Sequence, residues 1–169
     1  MSPTGHLAIG FAVKKHAPEI PLILLLIAAY AIDLIYFVFI AFGLDRFEYN
    51  PWSHSLLMAI LWSVSAGMLT LLIGKKARNA LVVGLLVFSH WLLDFIVWSN
   101  LPVAFDPAHR IGLGLYDKIG FSMTKLSLTS GTLIATGIET VMLIAGVMLY
   151  ILFLNKRKKE NAKTQGGSK

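Results

Sequence analysis

The stretch Ser89-His90-Trp91-Leu92-Leu93-Asp94 sets an imidazole and a carboxylate four residues apart inside an apolar run from Asn79 to Trp98. In a helix that spacing puts both groups on one face. Ionisable groups at bilayer depth are costly, so they face cavities or partners and mark function. Asp33, His54, Glu139 and His6 lie in or beside other apolar runs and are the candidates to join the pair. Imidazole nitrogen and carboxylate oxygen suit Zn²⁺, with Mn²⁺ or Fe²⁺ as alternatives. The chain has no cysteine, which excludes thiolate sites, disulfides and a cysteine nucleophile. His90 and Asp94 supply either two ligands, or one ligand and the group that orients it. A zinc ion with three protein ligands lowers the pKa of a bound water to ~7, and a remaining carboxylate can then act as general base. That is a hydrolase constellation. The same groups could instead carry metal ions or protons across a membrane, or only fix the packing of a non-catalytic scaffold.

The elements that must position these groups are apolar helices. The 169 residues are 56% hydrophobic and only 14% charged, against ~25% charged in an ordinary soluble domain. The mean hydropathy is +0.71. The net charge of +6 is not that of a nucleic-acid binder, because the cations sit beside apolar runs, at Lys75, Lys76 and Arg78 and from Lys156 to Lys159. Such clusters anchor and orient membrane helices. The expected fold is all-α: a bundle of four transmembrane helices, preceded by a short N-terminal interfacial or re-entrant helix. Residues 1–154 form one helical membrane domain, and residues 155–169 a basic, disordered, cytoplasmic tail.

Along the chain, Thr4 is placed to cap a first short helix that Pro18 ends. Pro21 to Leu44 is long enough to cross a bilayer with tilt. Its Ala29-Tyr30-Ala31 mimics a signal-peptide cleavage site, but the apolar run continues beyond it, which argues for a retained span. His54 to Gly74 is the second span, with Ser63 and Gly67 as small residues for close helix approach. Asn79 to Trp98 is the third. A long connection from Ser99 to Leu126 carries Gly112-Leu113-Gly114-Leu115-Tyr116 and leads to a fourth span within Leu128 to Leu154, starting near Ser130 or Gly131. His16 and His109 fall in loops beside prolines and are expected to be solvated.

Lys and Arg fall mainly beside Lys14, the Lys75 to Arg78 loop and the tail, so both termini are expected in the cytoplasm. At ~1.5 Å per residue, Asp33 then lies ~16 Å, His90 ~15 Å, Glu139 ~12 Å and Asp94 ~9 Å from the outer surface. His54, which opens its span, is shallow. The groups can thus meet in the outer half of the bundle if the helix faces agree. His6 joins them only if the first helix dips into the bundle; an interfacial helix leaves it outside.

Taken in order, Gly5-His6-x-x-x-Gly10, the acidic Asp33, Ser53-His54-Ser55-Leu56-Leu57, Ser89-His90-Trp91-Leu92-Leu93-Asp94, Leu101-Pro102 and Gly112-Leu113-Gly114-Leu115 resemble the inner-membrane metal-dependent hydrolases of the LexA-binding type in prokaryotes. The resemblance runs from about Gly5 to Tyr150. It implies a helical fold in the inner membrane and a metal site at His6, Asp33, His54, His90 and Asp94. The chain departs from that pattern at Ala31 and at Trp98, where related chains often carry an acid and a histidine. Combining both lines, the expected metal ligands are His6, His54, His90 and Asp94, with Asp33 and Glu139 as catalytic acid/base groups. The expected partners are the lipid bilayer and a small or lipid-like substrate.

Overall fold

Long apolar runs without proline form the long helices, and the turn residues between them set the breaks. The computed structural model describes residues 3–121 and 129–166. The chain runs through α1 (Pro3–Ala12), a 3₁₀ turn (Val13–Lys15), α2 (Leu22–Ala29), α3 (Ala31–Ala41), α4 (Pro51–His54), α5 (Leu56–Gly74) and α6 (Ala77–Val97). A two-residue hairpin follows, β1 (Leu101–Pro102) antiparallel to β2 (Arg110–Ile111), then α7 (Leu115–Lys118) and α8 (Ser130–Gly166). The end of the long connection, with Lys125 and Leu126, the Leu128 bound of the fourth span and tail residues 167–169 lie outside the described residues.

Among the described residues three helices, α5, α6 and α8, are long and apolar enough to cross a membrane, and the bent pair α2 and α3 makes a fourth if counted as one span. Their outward faces carry Leu69, Leu72 and Ile73 on α5 and Leu133, Val141 and Leu152 on α8, all well exposed. Apolar surface of that extent suits lipid, not water. α6 is the central helix: 44% of its apolar window is buried, against 17% for α5 and 11% for α8. Leu86, Val87 and Trp91 of α6 pack with Leu25, Ala29 and Ile32 from the bent pair. Gly84 lets α5 and α6 approach closely, since a Cβ there would meet the Ser63 carbonyl oxygen at 3.1 Å.

The expected first span is broken at Tyr30, with a bend of 56° between α2 and α3. Neither glycine nor proline stands there. The Ala29 carbonyl, one turn before Asp33, faces His90 Nδ1 at 2.9 Å. A side chain inserted into the helix ladder is one of the few causes of a sharp bend. The backbone so freed is tolerated because Ala29 is buried in protein. The break also makes Asp33 a first-turn residue of α3, where the helix dipole favours a negative charge.

α1 is packed into the bundle against α8, α2 and α6. Gly146 permits the contact with α8: a Cβ there would collide with the Ala8 carbonyl. Of the two placements open to the first helix, the inserted one is observed. Lys14 closes the turn to α2 by donating to the carbonyls of Pro18 and Ile20. On the same side, Glu19 accepts from Lys76 (2.7 Å) and Asn79 (3.3 Å), so the two basic loops lie together. The Lys76 ammonium holds the Glu19 carboxyl below the usual carboxylate range.

The tail expected to be disordered continues α8 to Gly166. Lys, Arg, Glu, Ala and Gln are good helix formers, no proline intervenes, and Lys156 with Glu160 forms an i,i+4 pair at 3.9 Å. A short polar segment that would not fold alone is propagated from a helix already nucleated.

Candidate metal centre

The site is assembled from four separated segments. α6 presents His90 and Asp94 one turn apart, both buried. The break before α3 presents Asp33. α4 is a single turn packed on α3; it starts at Pro51 and ends on His54, after which Ser55 is extended and caps α5 by accepting from Met58 N (3.2 Å). That kink turns the His54 imidazole inward rather than along α5. α1 presents His6.

The donor atoms converge. His54 Nε2 lies 3.3 Å from Asp33 Oδ1 and 3.6 Å from Asp94 Oδ2. His90 Nε2 lies 3.4 Å from Asp33 Oδ1 and 3.5 Å from Asp94 Oδ2. His6 Nε2 lies 3.6 Å from Asp94 Oδ1. Charge-assisted hydrogen bonds between such groups close to ~2.7–2.9 Å. By contrast, four ligands at ~2.0–2.1 Å around a tetrahedral ion sit ~3.4 Å from one another. The observed spacings of 3.3–3.6 Å are close to those of such a ligand set and longer than those of charge-assisted hydrogen bonds.

The imidazoles are also oriented for that role. The Ala29 carbonyl can only accept, so His90 Nδ1 carries a proton and donates to it, which directs Nε2 toward the carboxylates. That Nε2 is buried with no hydrogen-bond partner. His54 Nδ1 pairs with buried Ser53 Oγ at 2.8 Å, leaving its Nε2 for the centre. The rings of Tyr36 and Tyr30 pack edge-on to His54 and His90, at 5.3 and 6.4 Å between centroids. A buried polar atom without a hydrogen bond costs ~1–3 kcal/mol, a cost that a cation held between these groups would relieve.

All five residues His6, Asp33, His54, His90 and Asp94 are brought together, in two overlapping groups of three. Glu139 belongs to neither group. Its carboxylate is buried and accepts from Thr4 Oγ1 (2.8 Å) and Tyr116 OH (2.9 Å). The Gly112 to Tyr116 stretch folds over it: Gly112 and Gly114 take positive φ, and Gly114 starts the turn that buries Tyr116. His16 and His109 are exposed, as expected, and His109 pairs with Asp106 at 2.7 Å.

Sequence reasoning gave no role to three groups around the site: the Ala29 carbonyl, Tyr116 and Trp91. Trp91 was quoted only as part of its motif. Its Nε1 donates to the His54 carbonyl (2.9 Å), which ties α4 to α6. An indole N–H in a span needs a buried acceptor, and that was the available signal. Trp91→Phe keeps the ring packing and removes this bond. It is expected to weaken metal binding about 10–100-fold, the usual cost of losing a group that orients a ligand, as measured by competition with a chromogenic chelator.

Comparison with known proteins gave no matching family model, no similar curated protein and no similar solved structure.

Proposed function

We propose that this chain is an integral protein of the cell (inner) membrane, with both termini cytoplasmic. In this reading it binds a divalent cation, Zn²⁺ first and Mn²⁺ or Fe²⁺ as alternatives, and hydrolyses a small or lipid-like substrate reaching it from the outer side. The observation that carries this reading is the spacing of 3.3–3.6 Å among His54, His90, Asp33 and Asp94, together with the unpartnered His90 Nε2.

The side chains of His54, His90 and Asp94 are 7%, 0% and 5% exposed, and that of Asp33 is 24%. A catalytic zinc site keeps three protein ligands and one exchangeable position. The three buried groups are the ligands, and Asp33 lies on the open side, where it accepts and returns the proton of an attacking water. A cation held there acts as a Lewis acid on the substrate's carbonyl or phosphoryl oxygen. His6 closes the inner side by stacking on His90, and Glu139 holds α1, α7 and α8 together through Thr4 and Tyr116.

Transport of metal ions or protons through the same groups requires polar partners continuing to the opposite face. Along α6 the buried residues on that side of His90 are Val87, Leu86, Val83 and Ala80, with the polar Asn79 buried only in the first turn of the helix, where it donates to Glu19. Val87, Leu86 and Val83 pack with Leu25 and Ala28 of α2. That apolar layer favours a site closed at one end. A packing scaffold, in turn, would leave no buried ring nitrogen unpaired.

The test uses the full chain in detergent, stripped with chelator and reloaded with Zn²⁺, Mn²⁺ or Fe²⁺, and assayed on chromogenic carboxylic and phosphoric esters. Hydrolysis should appear only with metal. Asp33→Asn should lower it about 10²–10⁴-fold, the range for a general base, while metal is retained. Metal-driven flux into proteoliposomes without hydrolysis would overturn the reading in favour of transport.

A further inference from the structure

His6 is not accounted for by the first position, made of His54, His90, Asp94 and Asp33. It is 1% exposed, and neither of its ring nitrogens has a hydrogen-bond partner. Its ring lies parallel to that of His90, at 7° and 3.7 Å between centroids. Its Nε2 faces Asp94 Oδ1 at 3.6 Å, whereas His54 and His90 face the other oxygen, Oδ2. The two oxygens of one carboxylate are therefore addressed by different imidazoles. One donor atom each from His6, His90 and Asp94 lies within 4.8 Å of the others.

An imidazole holds a metal ion in the plane of its ring, on the nitrogen lone pair. Two parallel rings a stacking distance apart, both directed at one carboxylate, hold two ions about one stacking distance apart. That matches the ~3.5–4 Å between the ions of two-metal hydrolytic sites. His90 itself cannot serve both ions, because its Nδ1 is committed to the Ala29 carbonyl. Asp94, with two oxygens, can.

We propose that His6 Nε2 and Asp94 Oδ1 form a second divalent-cation position, with Asp94 bridging it to the first; this rests on the reading of His54, His90 and Asp94 as ligands of the first ion. With two protein donors, the second ion keeps several exchangeable positions. Such a position suits Mn²⁺ or Mg²⁺, which retain water and accept oxygen donors. It also gives a reason for the close approach of α1 to α8 at Gly146: the helix delivers its one imidazole to Asp94 Oδ1.

The experiment is a Mn²⁺ titration of the chelator-stripped full chain in detergent, read by elemental analysis and by electron paramagnetic resonance. Wild type should take up two ions per chain and show the hyperfine pattern of an exchange-coupled pair. His6→Gln should take up one ion and show only the pattern of isolated Mn²⁺. Should His6→Gln fail to fold, the wild-type spectrum alone decides between one ion and a coupled pair. One ion in both proteins would overturn the second position and leave the first intact. Two ions in both would overturn the role of His6. No ion in either would overturn the first position as well.

Discussion

Asp94→Asn is expected to abolish metal binding and metal-dependent hydrolysis while leaving the metal-free fold nearly unchanged. Among the described residues, the Asp94 carboxylate alone lies within 3.6 Å of all three imidazoles of the centre. The amide has the same shape, so the packing around α6 persists, and its N–H groups can meet the lone pairs on the ring nitrogens. What is lost is the negative charge that a cation requires. In thermal unfolding of the detergent-solubilised chain, metal at 100 times its Kd should stabilise wild type by about 2.7 kcal/mol, seen as a rise in Tm. Asp94→Asn should show no rise. Hydrolysis in the variant should be indistinguishable from the metal-free blank. A centre that only fixed helix packing would give the opposite pattern. Breaking a buried charged network costs ~3–5 kcal/mol whether or not metal is supplied, and addition of metal would move neither protein.

His90→Ala should be worse in a different way. It deletes a ligand, the ring stacked on His6, and the donor that satisfies the Ala29 carbonyl at the bend between α2 and α3. The carbonyl would then be buried without a partner, at a cost of ~1–3 kcal/mol, and the vacated ring volume adds a cavity penalty. A loss of about 3–5 kcal/mol is expected even without metal, together with loss of hydrolysis. The contrast between the variants is diagnostic. Asp94→Asn should lower only the Tm measured in metal, whereas His90→Ala should lower it in metal and in chelator alike. Equal metal-free stability of His90→Ala and wild type would mean that the His90–Ala29 bond does not hold the bend.

Much of the scaffold was legible because apolar length is written directly in the chain. The second and third spans correspond to α5 and α6, and α8 starts at Ser130, one of the two positions expected. The pairing of His90 with Asp94 on one face followed from helical periodicity. Rotation about each helix axis did not, because a helix apolar on nearly every side carries little directional pattern. Agreement in depth therefore could not show that Asp33, His54 and Asp94 face one another. The bend at Tyr30 was hidden for a different reason. It depends on a hydrogen bond between residues 61 positions apart, and Ala28-Ala29-Tyr30-Ala31 contains none of the usual helix breakers. The inward turn of His54 was partly legible in Asn50-Pro51, but the burial of its side chain among the other helices was not, since it depends on how α4 packs on α3 and is tied to α6. Glu139 shows the converse. Its burial was anticipated, but its partners Thr4 and Tyr116 come from segments whose return to the bundle no local pattern announces. The helical extension of α8 to Gly166 shows charge content outweighed by helix propensity.

The central claim is that this pocket holds a cation, and the most direct measurement is the transition-metal content of the purified chain. Wild type and Asp94→Asn, reloaded side by side and freed of loose metal by gel filtration, should differ by at least one ion per chain. Equal, near-zero metal in the two proteins would contradict the account.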